Sequence, residues 1–111
     1  MAAVVLLGTF QAQPGRRDEL IELLRSSLPL FRANEPGLEM ALFHHSPTDA
    51  DQVVAYERYA SPEAFAQHRA NYNAIPAYAE FRRQFDALLA APVDVQSLKL
   101  AGGFASAMPA I

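Results

Sequence analysis

Between residues 56 and 71 the chain reads YERYASPEAFAQHRAN, and this stretch holds the side chains best suited to acid–base chemistry. His68 is the first of them, because an imidazole with an ordinary pKa of ~6.5 can take and return a proton near neutral pH. Phe65, His68 and Tyr72 fall at i, i+3 and i+7, so on a helix they share one aromatic stripe. That stripe predicts a histidine at least half buried. Spacing leaves two readings open: a base on the wall of a cavity, or a histidine hydrogen-bonded inside a filled core, with packing the default. Glu57 poses a similar question. A carboxylate on a covered strand face needs a partner, and Arg58, Arg69, Arg82 or Arg83 could supply it. Asn71, Tyr72 and Asn73 could offer hydrogen bonds to a polar ligand, although asparagine at a helix end is commonly a cap.

Other chemistries are excluded by what the sequence lacks. It contains no cysteine, which removes disulfides, thiolate nucleophiles and cysteine-bound metals together. GxGxxG, GxxxxGK[ST], GxSxG and HExxH are also missing, so nucleotide-dependent and serine-hydrolase readings fall away. His44 and His45 resemble a metal pair, but neighbours on a strand point to opposite faces, so no metal site is expected. Nine basic against twelve acidic side chains give a net charge of −3, with no basic stripe to follow a phosphate backbone. Nucleic acid is not an expected partner. The apolar opening MAAVVLLGTF lacks a basic leader and is short, and no run approaches the ~20 apolar residues of a membrane helix. A cytoplasmic chain without membrane contact is the expectation.

The elements that must position these side chains are legible from periodicity. At 111 residues the chain fits one domain, of a size that buries roughly 65% of its unfolded surface. Its 51% apolar content, with seven Phe and four Tyr, suits a packed core. A β-rich run from Val4 to Gln13 ends at the turn signal Pro14-Gly15. Leu20, Ile21, Leu24, Leu28 and Phe31 then mark a helix to about Ala33, which Pro29 should kink. Leu38–His45 and Gln52–Tyr59 predict a hairpin across the polar loop SPTDAD. By simple alternation Leu38, Met40, Leu42 and His44 share one face, while Tyr56 and Arg58 lie opposite Glu57 and Tyr59. Ser61 caps a second helix to about Asn71, and a third resumes near Pro76 with Tyr78, Phe81, Phe85 and Leu88 on one face. Val93 to Leu100 predicts a last strand, whose change of phase suggests a bulge. A single domain over residues 1–100 and a tail over 101–111 complete the division.

The order β-α-β-β-α-(α)-β predicts an α+β fold with a ferredoxin-like antiparallel sheet and helices on one face. Strands reading VVLL and VVAY are apolar on both faces, however. A second copy packing sheet against sheet would cover the other face, so a homodimer is expected.

The segments QAQPGRRDELIELL, NEPGLEMALFHH, YERYASPEAFAQHRAN and VDVQSLKL together resemble the antibiotic biosynthesis monooxygenase family, over about residues 3 to 100. The most specific piece is a strand-end Glu-x-aromatic followed by Ser-x-x-x-Phe and a helical His, falling on Glu57, Tyr59, Ser61, Phe65 and His68. The resemblance implies a dimeric α+β barrel and oxygenation of small quinols, phenols or polycyclic aromatics with no cofactor. It implies His68 as base, Tyr59 or Asn71 as donor to the oxyanion, and Phe65, Tyr72, Phe81 and Phe85 as the apolar wall, with His44 a further substrate contact. Dioxygen and a small aromatic would be the partners. Family members often carry Trp where this chain has Tyr59, and the chain has no Trp, which weighs against the haem-degrading relatives. Two alternatives remain: a non-catalytic ligand-binding dimer, and an isomerase that only moves protons in the same pocket.

Overall fold

A computed structural model describes residues 2–107, so the last four residues of the expected 101–111 tail lie outside the described residues. Seven elements follow in the order β1 (Val4–Gln11), α1 (Arg17–Asn34), β2 (Leu38–His45), β3 (Gln52–Tyr59), α2 (Pro62–Ala74), α3 (Pro76–Leu88) and β4 (Asp94–Leu98). The strands form one sheet in the order β2-β3-β1-β4, with every pairing antiparallel. This is the expected α+β, ferredoxin-like arrangement.

Alternation along the strands decides which residues meet the helices. Pairing of Phe10 with Val53 and of Gly8 with Ala55 puts these residues on the helix side. There Phe10, Val53 and Ala55 pack with Leu20, Ile21 and Leu24 of α1 and with Phe85 and Leu88 of α3. The Phe10 and Phe85 rings meet edge to face at 5.0 Å. On the other side of the sheet, Leu7, Leu42, Val54 and Tyr56 are only partly buried.

Several details differ from the sequence expectation, and β1 ends at Gln11 rather than Gln13. The irregularity lies in β2 and not in the last strand: Leu38 pairs with Tyr59, while Met40 pairs with Arg58. That bulge moves Leu38 to the helix-facing side with Ala41 and Phe43, breaking the simple alternation. The last strand is shorter than Val93–Leu100, and all five of its residues are exposed. Helix α2 outlasts Asn71 because the restriction that proline places on its predecessor falls on Ile75 alone. Ile75 is extended (φ −116°, ψ 112°), and Pro76 opens α3 directly. Helix α1 is one continuous element through Pro29.

Two local devices fix α2, the helix carrying His68. The Ser61 hydroxyl accepts a hydrogen bond from the Ala64 amide at 3.1 Å, with Pro62 in the first turn. At Gly37, just before β2, a Cβ would collide with the side chain of Ala64, so only glycine lets the helix approach this closely. Gly37→Ala is therefore expected to lower stability by about 1–3 kcal/mol, read as a lower urea midpoint with an unchanged slope.

Candidate functional site

A cavity of about 750 Å³ lies between the helices and the sheet. Its floor includes Leu6 of β1, Ala41 and Phe43 of β2, and Ala55 and Glu57 of β3. Phe31, Phe65, Tyr72, Phe81 and Phe85 supply aromatic walls, and His68 lines it from α2. Phe65, His68 and Tyr72 do share a face, and each borders the cavity. A space of this size among such walls is in the range of small-molecule sites.

His68 is held from several sides. Its ring stacks near Phe65 at 6.2 Å, meets Tyr72 edge-on at 5.2 Å, and lies 5.5 Å from Tyr59 and 5.8 Å from Phe31. Nδ1 sits 2.8 and 2.9 Å from the two carboxylate oxygens of Glu35. Glu35 follows α1 directly, and its side chain is 1% exposed against 15% for His68. An ionised carboxylate only accepts, so Nδ1 carries the proton and Nε2 presents a lone pair. Among the described residues Nε2 has no protein partner, which leaves it for the cavity.

Behind Glu35 the network is closed. The Tyr78 hydroxyl donates to Glu35 Oε2 at 2.6 Å and accepts from Asn71 Nδ2 at 3.3 Å. Asn71 Nδ2 also reaches the Asn34 carbonyl at 3.4 Å, while Asn71 Oδ1 accepts from Gln67 at 2.6 Å. Burial, followed by the hydrogen bond to Glu35, pushes the Tyr78 hydroxyl above its ordinary pKa and keeps it a neutral donor. Glu35 therefore receives a ring N–H and a phenol O–H, the arrangement that a buried carboxylate requires.

The remaining expected site residues fall differently. Asn71 is buried, its amide is engaged on both sides, and it does not line the cavity. Tyr59 is fully buried and absent from the cavity wall, its hydroxyl donating to Glu57 Oε2 at 3.2 Å. Burial and the neighbouring Glu57 push that hydroxyl's pKa upward. Neither group is placed to meet a substrate oxyanion directly. His44 pairs with Val54 on the sheet face away from the helices, with Nδ1 2.9 Å from the Val54 carbonyl oxygen, and lies outside the cavity. Phe65, Tyr72, Phe81 and Phe85 all border it, as does Asn73.

None of the arginines expected to balance Glu57 does so among the described residues. Arg58 pairs with Glu39, Arg82 with Asp86 and Arg83 with Glu80, while Arg69 lies over the Phe65 ring at 5.8 Å. Burial accordingly pushes the Glu57 carboxyl up, against the opposing influence of His68 and the Tyr59 hydrogen bond. A raised folded value means that the unfolded chain releases this proton first as pH rises from the ordinary 4.5. Stability contributed at low pH is thus lost between 4.5 and the raised folded value, and the loss is constant above it. Urea titrations across that window should show wild type losing stability relative to Glu57→Gln. Parallel pH profiles would show that Glu57 titrates alike in both states.

Sequence reasoning missed Glu35 and Tyr78. A carboxylate immediately beyond a helix C-terminus opposes the helix dipole, and that misplaced charge in NEPG was the available signal. Among the described residues no group of three His, Asp or Glu side chains could hold a metal ion.

Comparison with known proteins agrees with this architecture. The family model for antibiotic biosynthesis monooxygenase matches residues 3–84. Rv0793 of Mycobacterium tuberculosis is 30% identical over 95 residues, 86% of this chain and 88% of that protein. Its solved structure superposes with a TM-score of 0.70, covering 96% of this chain and 99% of that one. A monooxygenase from the gene ActVA-Orf6 of Streptomyces coelicolor, solved in complex with the ligand Nanaomycin D, is 27% identical with a TM-score of 0.73, covering 96% and 94%. PA3566 of Pseudomonas aeruginosa shares the fold at 24% identity and a TM-score of 0.75, covering 92% and 97%. With its strand order, helix-covered sheet and aromatic cavity, the chain belongs to the antibiotic biosynthesis monooxygenase family.

Proposed function

We propose that the chain is a cofactor-independent monooxygenase of small quinols, phenols or polycyclic aromatics, with His68 as its base. The observation that carries this reading is the pairing of His68 Nδ1 with the buried Glu35, which leaves Nε2 as the acceptor in an aromatic-walled cavity. Nε2 takes the proton of a phenolic hydroxyl, and Glu35 balances the imidazolium so formed. The phenolate is electron-rich enough to reduce dioxygen by electron transfer. For a ring CH2 oxidised to a carbonyl, the substrate supplies four electrons, one oxygen atom stays on carbon and the other leaves as water. The apolar walls shield this sequence from solvent. The solved likeness from Streptomyces coelicolor, a monooxygenase holding Nanaomycin D, supports an aromatic occupant.

Oxygen uptake with a panel of hydroquinones and anthrones, with chelator present and no flavin added, tests the reading. Turnover of at least one compound, with one oxygen atom incorporated from labelled dioxygen, is the expected result. Product formation without oxygen uptake would replace it with an isomerase that uses His68 for proton transfer alone.

A second copy covering the partly buried Leu7, Leu42, Val54 and Tyr56 is part of the same reading, as is a cytoplasmic setting. Among the described residues no helix is long and apolar enough to cross a membrane. Sedimentation at micromolar concentration should give a dimer. A stable monomer would remove the partner from the proposal.

A further inference from the structure

We infer that Glu57 is a second substrate-contacting group, which selects aromatics carrying a second oxygen on the ring in addition to the hydroxyl that His68 deprotonates. The inference rests on the proposed aromatic occupant and adds a specificity to it. Glu57 stands on the cavity floor, and the sheet register flanks it with Leu6 on β1 and Ala41 on β2, both apolar and both lining the same space. Its neighbours along the floor therefore offer no hydrogen bond. Its single side-chain partner among the described residues is the Tyr59 hydroxyl, which donates to Oε2. Oε1 is left without a protein partner among the described residues, in a cavity whose polar lining beside Glu57 includes His68, Arg69, Asn73 and Arg82.

Burial pushes the Glu57 carboxyl upward, and a ligand that hydrogen-bonds Oε1 would offset part of that cost. A substrate hydroxyl would do so in either protonation state. It donates to the carboxylate, or accepts from the carboxyl, and in both cases the Tyr59 hydrogen bond holds the group in place. His68 is engaged through Nδ1 with Glu35 and so presents Nε2 to the same cavity. A ring hydroxyl that has given its proton to Nε2 has none left to donate to a carboxylate, so a second ring oxygen is what would satisfy Oε1. Removing a partner from a desolvated polar group is worth roughly 10- to 100-fold in affinity.

Anaerobic calorimetry of 1,4-dihydroxynaphthalene against 1-naphthol tests this without turnover. Wild type is expected to bind the diol roughly 10- to 100-fold more tightly. Glu57→Gln, which keeps a donor and an acceptor of similar size, should retain most of that preference. Glu57→Leu should bring the ratio to about one, with thermal melts and the affinity for 1-naphthol showing that the cavity persists. Equal affinities in wild type, or a preference that survives in Glu57→Leu, would overturn the role of Glu57 and leave the reading of His68 standing. Failure of wild type to bind either naphthol would overturn both.

Discussion

Replacing His68 by glutamine is expected to lower kcat for oxygen-dependent turnover by about 10²- to 10⁴-fold, the range that a positioned general base contributes. KM should change little, because the aromatic walls that bind the ring remain. Glutamine is chosen over alanine for a physical reason. Glu35 is 1% exposed and receives hydrogen bonds from His68 and Tyr78. Truncation to alanine would strip one of those donors and confound activity with a stability loss of about 3–5 kcal/mol. A glutamine amide can still donate to Glu35 but offers no basic nitrogen to the cavity. The alanine variant has a separate use, since added imidazole should enter the vacated space and restore part of the rate. Equal kcat in wild type and His68→Gln would show that the substrate is deprotonated elsewhere.

The layout of this fold was largely readable because its signals are local. Ser61-Pro62-Glu63 announces a helix start, and helical spacing then carries Phe65, His68 and Tyr72 onto one face, where the structure has them. The antiparallel hairpin and the third helix follow from equally local patterns. What local patterns do not contain is the partner of His68. Glu35 lies 33 positions earlier, at the end of another helix, and Tyr78 comes from a third element. Tyr78 had the spacing of a core aromatic, and its ring does pack edge-on against Phe31, so only its hydroxyl has the second role. Asn71 and Tyr59 lie outside the cavity wall for a related reason. Helical and strand phase place each near the right region, but whether a polar tip faces the cavity or another side chain depends on neighbours far apart in sequence. The bulge at Leu38/Met40 is of the same kind, since the extra residue puts Leu38 out of phase with Met40, Leu42 and His44, which keep their expected face.

Glu35→Gln is the second large effect expected, and it separates charge from packing. The amide has nearly the carboxylate's shape, so the space between α1, α2 and α3 stays filled. Its NH2 group, however, can donate to Nδ1. That shifts the ring proton to Nε2 and removes the lone pair that faces the cavity. In serine hydrolases the equivalent change of carboxylate to amide lowers kcat by about 10⁴-fold through the wrong tautomer. A fall of about 10²-fold or more is expected here, with KM nearly constant and stability lowered by about 1–3 kcal/mol as the charge-assisted hydrogen bonds weaken. Because the two residues act as one unit, the double variant Glu35→Gln/His68→Gln should be little slower than His68→Gln alone. Losses that simply multiply would show that Glu35 acts on catalysis through something other than His68. Unchanged kcat in Glu35→Gln would reduce the buried carboxylate to a packing element.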